Sequence, residues 1–244
     1  QYTILFAIGM VVIVGSLLAF TASSLKPNIA ENERMEKQQN ILYAMGVNEN
    51  GPTDIVFVST NKVAAEFSKY ISKQLIINPD GTAEESARAF KINVKKEQAK
   101  AKNGGTRALP LFIGEREGQS YYIIPIRGKG LWDAIWGYVA LDEDMVVQGA
   151  FFDHAAETPG LGANIKQRYF MDDFVGEKLL SSTGDFKGIT VAKGNNDPKN
   201  LIKDDYEVDA LAGATITGDG VSAMIKTDLK LYLPYFRNLK NQLN

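Results

Sequence analysis

The first hydrophobic run is unbroken: Tyr2 to Leu25 is 24 residues without a charged side chain, dominated by Ile, Leu, Val, Phe, Ala and Gly. As a helix rising ~1.5 Å per residue it extends about 36 Å, enough to cross a ~30 Å hydrocarbon core with some tilt. A signal peptide is the alternative, and Ala19-Phe20-Thr21-Ala22 has the small residues of a cleavage end. The apolar core of a signal peptide, however, is ordinarily only ~7–15 residues long. The stretch therefore reads as a retained transmembrane helix, with Gly15 and Ala19 as a small-xxx-small pair that could seat a neighbour.

Lys26-Pro27 is expected to end the span, and Asn28 to about Met45 to form a stalk helix with Ile41, Leu42 and Met45 on one face. Asn48-Glu49-Asn50-Gly51-Pro52 reads as a break, Ile55 to Val58 as a strand and Lys62 to Ile71 as a helix. From Leu109 the alternation becomes that of antiparallel hairpins. Leu109–Gly114 pairs with Gln119–Arg127, and Ile135–Leu141 with Met145–Asp153 across Asp142-Glu143-Asp144. A short helix over Gly162–Phe170, a strand over Gly188–Ala192 and a final amphipathic helix over Thr217–Phe236 complete the pattern. Val221, Met224, Ile225, Leu229 and Tyr232 share one face of that last helix. The fold class is α+β: a single N-terminal transmembrane helix, then a soluble domain with a twisted antiparallel sheet packed on helices. The expected divisions are residues 1–25 as anchor, 26–50 as stalk and 51–244 as the soluble domain.

Charge sharpens this picture. All 27 basic and 29 acidic side chains follow residue 25, and Lys26 to Lys37 carries three of each sign, which permits an exterior location without requiring it. The chain opens at Gln1, so no positive-inside signal ahead of the span is in view. Without cysteine there is no disulfide scaffold, zinc ribbon, Cys-ligated cluster or thiol nucleophile. The lone histidine, His154, excludes His-rich metal sites and leaves no Ser-His-acid constellation. A net charge of −2 argues against a nucleic-acid partner. No metal site and no catalytic residue is expected.

Three loops could carry chemistry. Asp209-Ala210-Leu211-Ala212-Gly213-Ala214-Thr215-Ile216-Thr217 is small, contains glycine and precedes the last helix. Free N–H groups at such a helix start suit a phosphate, though Thr217 as an ordinary N-cap explains the same residues. His154-Ala155-Ala156-Glu157-Thr158-Pro159-Gly160-Leu161-Gly162 could likewise be a plain cap, with Thr158 at N-cap and Pro159 at N1. Its N–H donors could instead stabilise electron density on a planar acceptor. Gly128-Lys129-Gly130-Leu131-Trp132 offers a cation for a phosphate and a flat stacking surface.

Taken together and in this order, the loops resemble the covalent FMN-binding domain family, in the form found in the single-span flavoprotein subunit of the Na⁺-translocating NADH:quinone reductases. The resemblance covers the N-terminal span, Ile124-Pro125-Ile126-Arg127-Gly128-Lys129-Gly130-Leu131-Trp132, the Glu157–Gly162 element and the Asp209–Thr217 loop. In that family a Mg²⁺-dependent flavin transferase moves FMN from FAD onto the last Thr of Asp-x-x-(Ser/Thr)-Gly-Ala-Thr. Carried over, the resemblance implies covalent FMN on Thr215, with Asp209, Gly213 and Ala214 as motif residues and Thr217 as a poorer acceptor. The chain departs at Ala212, where the family usually has a hydroxyl. The resemblance further implies that Trp132 and the Glu157-Thr158-Gly160-Leu161-Gly162 element border the ring, with Lys129 near the phosphate.

The implied function is a single-electron relay in a Na⁺-pumping reductase of the bacterial inner membrane, single-pass, with its domain in the periplasm. Its partners would be the other subunits, the flavin transferase and membrane lipid. No dinucleotide fingerprint follows a strand, and the span holds no charge, so NADH oxidation and ion conduction belong elsewhere. Two alternatives stay open: the equivalent flavoprotein of a ferredoxin:NAD⁺ reductase of the Rnf type, and a non-redox membrane-tethered scaffold.

Overall fold

The structure is a computed structural model that describes residues 1–244 apart from Pro52, Thr53, Asn196, Lys199, Asn244 and the side chain of Leu243. Pro52, the last residue of the expected break, thus lies outside the described residues.

One helix, α1 (Tyr2–Ala44), continues through Pro27, where an end was expected. Proline removes one backbone donor and crowds the carbonyl four residues earlier. Long helix-forming runs on both sides propagate the helix across that single defect. Residues 2–25 expose their apolar side chains, and α1 is the one described helix long and apolar enough to cross a membrane, with a mean hydropathy of 2.6 over its most apolar 18-residue stretch.

Contacts divide the chain into two units, Gln1–Gln38 and Gln39–Asn244. The second unit therefore begins inside α1. Ile41, Leu42, Ala44 and Met45 are fully buried there, and the carbonyl of Ala44 lies where a Cβ on Gly149 would have to go.

The core of this unit is a six-stranded antiparallel sheet in the order β2-β1-β3-β4-β5-β6. Its strands are β1 (Ile71–Ile77), β2 (Ala83–Glu85), β3 (Leu109–Arg116), β4 (Gln119–Lys129), β5 (Ala134–Leu141) and β6 (Val147–His154). The two expected hairpins are present, with Phe112 opposite Ile123 and Tyr138 opposite Phe151. β1 and β2 were not anticipated. They are joined by a turn in which Gly81 adopts a left-handed φ of 83° and Asn78 N–H bonds the carbonyl of Thr82. Between them and β3 lies α3 (Val94–Lys102), also unanticipated.

Other expectations are corrected. Ile55 to Val58 is no strand: its polar backbone groups go to Gln39 Nε2, Asn50 Oδ1 and the N–H of Glu49, so no ladder forms. The helix expected over Lys62–Ile71 is α2 (Val63–Tyr70). The helix expected over Gly162–Phe170 is a 3₁₀ turn, Gly162–Lys166, broken at an extended Gln167 before α4 (Arg168–Asp172). The strand expected at Gly188–Ala192 shrinks to β7 (Thr190–Val191), paired in parallel with β8 (Glu207–Val208).

The final helix starts two residues earlier than expected, as α5 (Thr215–Met224). It passes through a π turn at Ile225–Leu229 and a 3₁₀ turn at Lys230–Tyr232, and ends as α6 (Leu233–Leu243). Its five predicted face residues are all buried. The π turn carries Asp228 inward, where its carboxylate accepts from Arg107 Nη1 at 2.8 Å and from the N–H of Arg127 at 2.9 Å. Gly220 on α5 lets the helix pack onto the carbonyl of Lys129 at the end of β4. That contact sets the helix start beside the end of the sheet that carries the other two loops.

Candidate functional site

The three loops singled out in the sequence converge. A surface hollow of about 250 Å³ is lined by Leu131, Glu157, Thr158, Leu161, Gly162 and the run Gly213–Thr217. The turn leading into α5 is closed by Ala214 N–H to the carbonyl of Leu211 at 3.0 Å, with Gly213 at φ 67° in the left-handed region. Only glycine takes that position without strain, and a Cβ there would also press on Leu161.

α5 has Ala214 as its N-cap, and no side chain caps it. Thr217 is therefore not the cap considered in the sequence. It sits within the first turn, 1% exposed, and its hydroxyl donates to a carboxylate instead of accepting from a backbone N–H: Oγ1 donates to Glu157 Oε2 at 2.6 Å. Thr215, two residues earlier on the opposite side of the turn, is exposed. Ile216 lines the hollow and is 57% exposed.

Glu157 is the junction of the site. Its Oε1 accepts the N–H of Trp132 at 2.9 Å and, at 3.4 Å, that of Asp133, while Oε2 takes the hydroxyl of Thr217. The residue is 4% exposed. Burial alone would raise its pKa, but the hydroxyl of Thr217 and the N–H groups of Trp132, Asp133 and Leu131 together hold it below the ordinary carboxylate range. Two missing side chains make room for it. A Cβ on Gly130 would lie 2.5 Å from Oε1, and one on Gly162 would lie 2.6 Å from Oε2.

Thr158 does not cap a helix either. Its hydroxyl accepts from Trp132 Nε1 at 3.1 Å, and its carbonyl takes the N–H groups of Leu161 and Ala163, closing a tight turn around Gly160 at φ 77°. His154 accepts the N–H of Glu157 on Nδ1 at 3.2 Å, which seats the loop at the end of β6.

Trp132 stands beside the hollow, tied to its wall through Thr158 and 65% exposed, without lining it; Lys129 is exposed and does not line it either. Asp209 lies apart, among Asp197, Asn200, Asp205 and Glu207 around a much smaller cleft. Burial and the neighbouring Asp197 raise its pKa. Ala212 is exposed at the apex of the turn.

A family profile described as an FMN-binding domain matches residues 130–230, a segment that holds all the hollow-lining residues. The NqrC protein of the Na(+)-translocating NADH-quinone reductase of Pseudomonas aeruginosa is 30% identical over 240 residues, covering 91% of this chain and 88% of that protein. The chain belongs to the NqrC family of this reductase. The Vibrio anguillarum member is 28% identical, covering 89% of this chain and 86% of its own. The crystal structure of the Parabacteroides distasonis member superposes with a TM-score of 0.73 at 31% identity, over 87% of this chain and 96% of that one. The Shewanella oneidensis NqrC structure gives 0.65 at 26% identity, over 87% and 98%.

The residues fit a flavin mononucleotide in chemistry. The hollow is smaller than the ~300–1,000 Å³ of enclosed ligand pockets, so it suits a group held partly at the surface. Its mouth carries exposed apolar side chains, Leu131, Leu161 and Ile216, and its floor carries small residues. Leu131 and Ile216 were missed as lining residues in the sequence, although each adjoins a residue that was named.

Proposed function

We propose that the chain is the electron-transfer subunit of a membrane Na⁺-pumping NADH:quinone reductase and holds FMN through a phosphoester on Thr215. The observation that carries this reading is the exposed Thr215 at the first turn of α5, among the residues that line a hollow to which all three loops contribute. Among the described residues no bond from a side chain caps that helix start, which leaves its N–H groups for phosphate oxygens.

In maturation, Thr215 Oγ1 displaces AMP from FAD on a flavin transferase. The bond from Oγ1 to the flavin-side phosphorus forms as the pyrophosphate P–O bond to the adenylate breaks, and the hydroxyl proton leaves to a base on the transferase. Once attached, the isoalloxazine supplies one-electron chemistry. Leu131, Leu161 and Ile216 supply apolar walls for it, and Trp132, fixed through Thr158, a flat surface beside it. Gly213, Ala214, Gly160 and Gly162 keep the approach free of bulk, and Lys129 adds positive charge outside the hollow. Asp209 belongs to the stretch the transferase reads. A tether of this kind keeps the carrier from dissociating between partners.

The apolar span, residues 1–25, anchors the chain in the inner membrane among lipid and the other subunits, and the domain, whose folded unit begins at Gln39, lies in the periplasm. Intact mass tests the reading. Chain co-expressed with a flavin transferase gains about 438 Da, one FMN less water, and the Thr215→Val variant gains nothing. Absence of the adduct on the unaltered chain overturns it.

A further inference from the structure

We propose that Glu157 is the positioning residue of the acceptor threonine: its carboxylate clamps the first turn of α5 to the 130–133 loop and so fixes the direction in which Thr215 faces. This rests on the reading of Thr215 as the flavin acceptor. The loop that precedes α5 is Ala210-Leu211-Ala212-Gly213-Ala214, held at its start by Ala210 N–H to Asn195 Oδ1 at 3.2 Å and by the burial of Leu211 and Ala214, with no polar side chain of its own to fix the helix start. The N-cap makes no side-chain bond, and the loop's own turn rests on one backbone bond, Ala214 to Leu211. The body of α5 is seated by Gly220 against the carbonyl of Lys129, and its first turn is tied to the other loops by the 2.6 Å bond from Thr217 to Glu157, between two side chains that are both almost wholly buried.

Glu157 suits this task better than a neutral residue. Its two oxygens face in two directions: Oε1 takes the backbone of Trp132 and Asp133, and Oε2 takes Thr217. Charge-assisted bonds of this kind are short and stronger than neutral ones. The glycines at 130 and 162 admit the carboxylate between the loops. Thr217 is on the inner side of the turn and Thr215 on the outer, so pinning one hydroxyl orients the other. A positioning role predicts effects on the rate of attachment and on local order together.

The test uses the full chain in detergent with purified flavin transferase, FAD and Mg²⁺, following mass gain with time. In parallel, amide hydrogen exchange is measured on the unmodified chain for peptides covering 128–134 and 211–220. Thr217→Val, near-isosteric and lacking one charge-assisted bond, is expected to slow attachment by about tenfold or more, and Glu157→Ala, which loses that bond together with those to Trp132 and Asp133, by at least as much. Both peptides should lose protection in each variant. Thr217→Ser, which keeps the hydroxyl, should restore rate and protection. The double variant should be no slower than the slower single one, because both remove the same contact. Attachment at the unaltered rate in Thr217→Val, or rate losses that multiply in the double variant, overturns the clamp. So does a lowered melting temperature with exchange at 211–220 unchanged. If the unaltered chain gains no mass at all, the proposed function fails, and the exchange arm still decides whether Glu157 orders α5.

Discussion

The hydroxyl of Thr217 donates to Glu157 Oε2 at 2.6 Å across 60 residues of sequence, joining the start of the last helix to the loop after β6. That bond separates the two threonines of the Thr215-Ile216-Thr217 run. One hydroxyl belongs to a buried residue and is committed to a carboxylate, and the other belongs to an exposed residue that lines the hollow.

Breaking this bond exposes its electrostatic character. Thr217→Val leaves a buried carboxylate oxygen without its hydroxyl and should cost ~1–3 kcal/mol at pH 7. Glu157 is held below its ordinary pKa, so its contribution is complete above the unfolded value, about 4.5, and is lost as pH falls through the lower folded value. Urea unfolding of the two proteins from pH 7 down to 3 should show the gap narrowing only at the acid end. A gap independent of pH contradicts the assignment.

Asp228 is the second buried junction, 1% exposed at the π turn and bonded to Arg107 and to the backbone of Arg127. Asp228→Ala strands the guanidinium of Arg107 and should cost ~3–5 kcal/mol. Thermal unfolding reads this directly. A loss below ~1 kcal/mol would place the surface range of ion pairs on this one.

Glu177 behaves in the opposite sense to Glu157. Burial pushes its pKa up to about 7, against the lowering effect of Lys203, whose Nζ lies 3.5 Å away, and with a further rise from Asp205. The folded value exceeds the unfolded one, so the folded state binds the extra proton and stability falls as pH rises from about 4.5 to about 7. Lys203→Met removes the lowering cation, so the titration midpoint of the Glu177 carboxyl, followed by carbon NMR, should move upward. A midpoint in the ordinary carboxylate range in both proteins refutes this.

The folded unit begins at Gln39, within α1. A chain starting at residue 39 should fold and melt cooperatively, whereas one starting at residue 47 should not. The shorter chain lacks Ile41, Leu42, Ala44 and Met45, all fully buried. At ~2–5 kcal/mol for each large side chain removed, their loss is comparable to a typical total stability of ~5–15 kcal/mol. Circular dichroism with thermal melting distinguishes the two.

Much of the fold was legible in local pattern. The hairpins over 109–127 and 135–153 are apolar runs separated by turn residues, and the face of the last helix repeats at helical spacing, because each is fixed by neighbours within a few residues. β1 was missed although Leu75-Ile76-Ile77 stands directly before Asn78-Pro79-Asp80-Gly81, a turn signal. The exposed Ser72 and Lys73 obscured its alternation. Ile55–Val58 was misread for the converse reason: a β-rich composition makes no strand where side chains of Gln39 and Asn50 take the backbone partners.

The sequence by itself determined the apolar span, the antiparallel character of the sheet and the three loops worth watching, since hydrophobic period and turn residues are local properties. The family resemblance carried by those loops pointed to Glu157, Thr158, Gly162, Gly213 and Thr215, and the local pattern allowed Thr217 to be a cap. Only the tertiary structure decided that Thr217 is an anchor, that Glu157 joins three segments and that Asp209 and Lys129 stand outside the hollow. Those outcomes depend on which groups meet across tens of residues, where burial and the need to satisfy each polar atom choose the partner. The acceptor for the Thr217 hydroxyl is a carboxylate 60 residues away, and nothing in the local pattern around Thr217 could have named it.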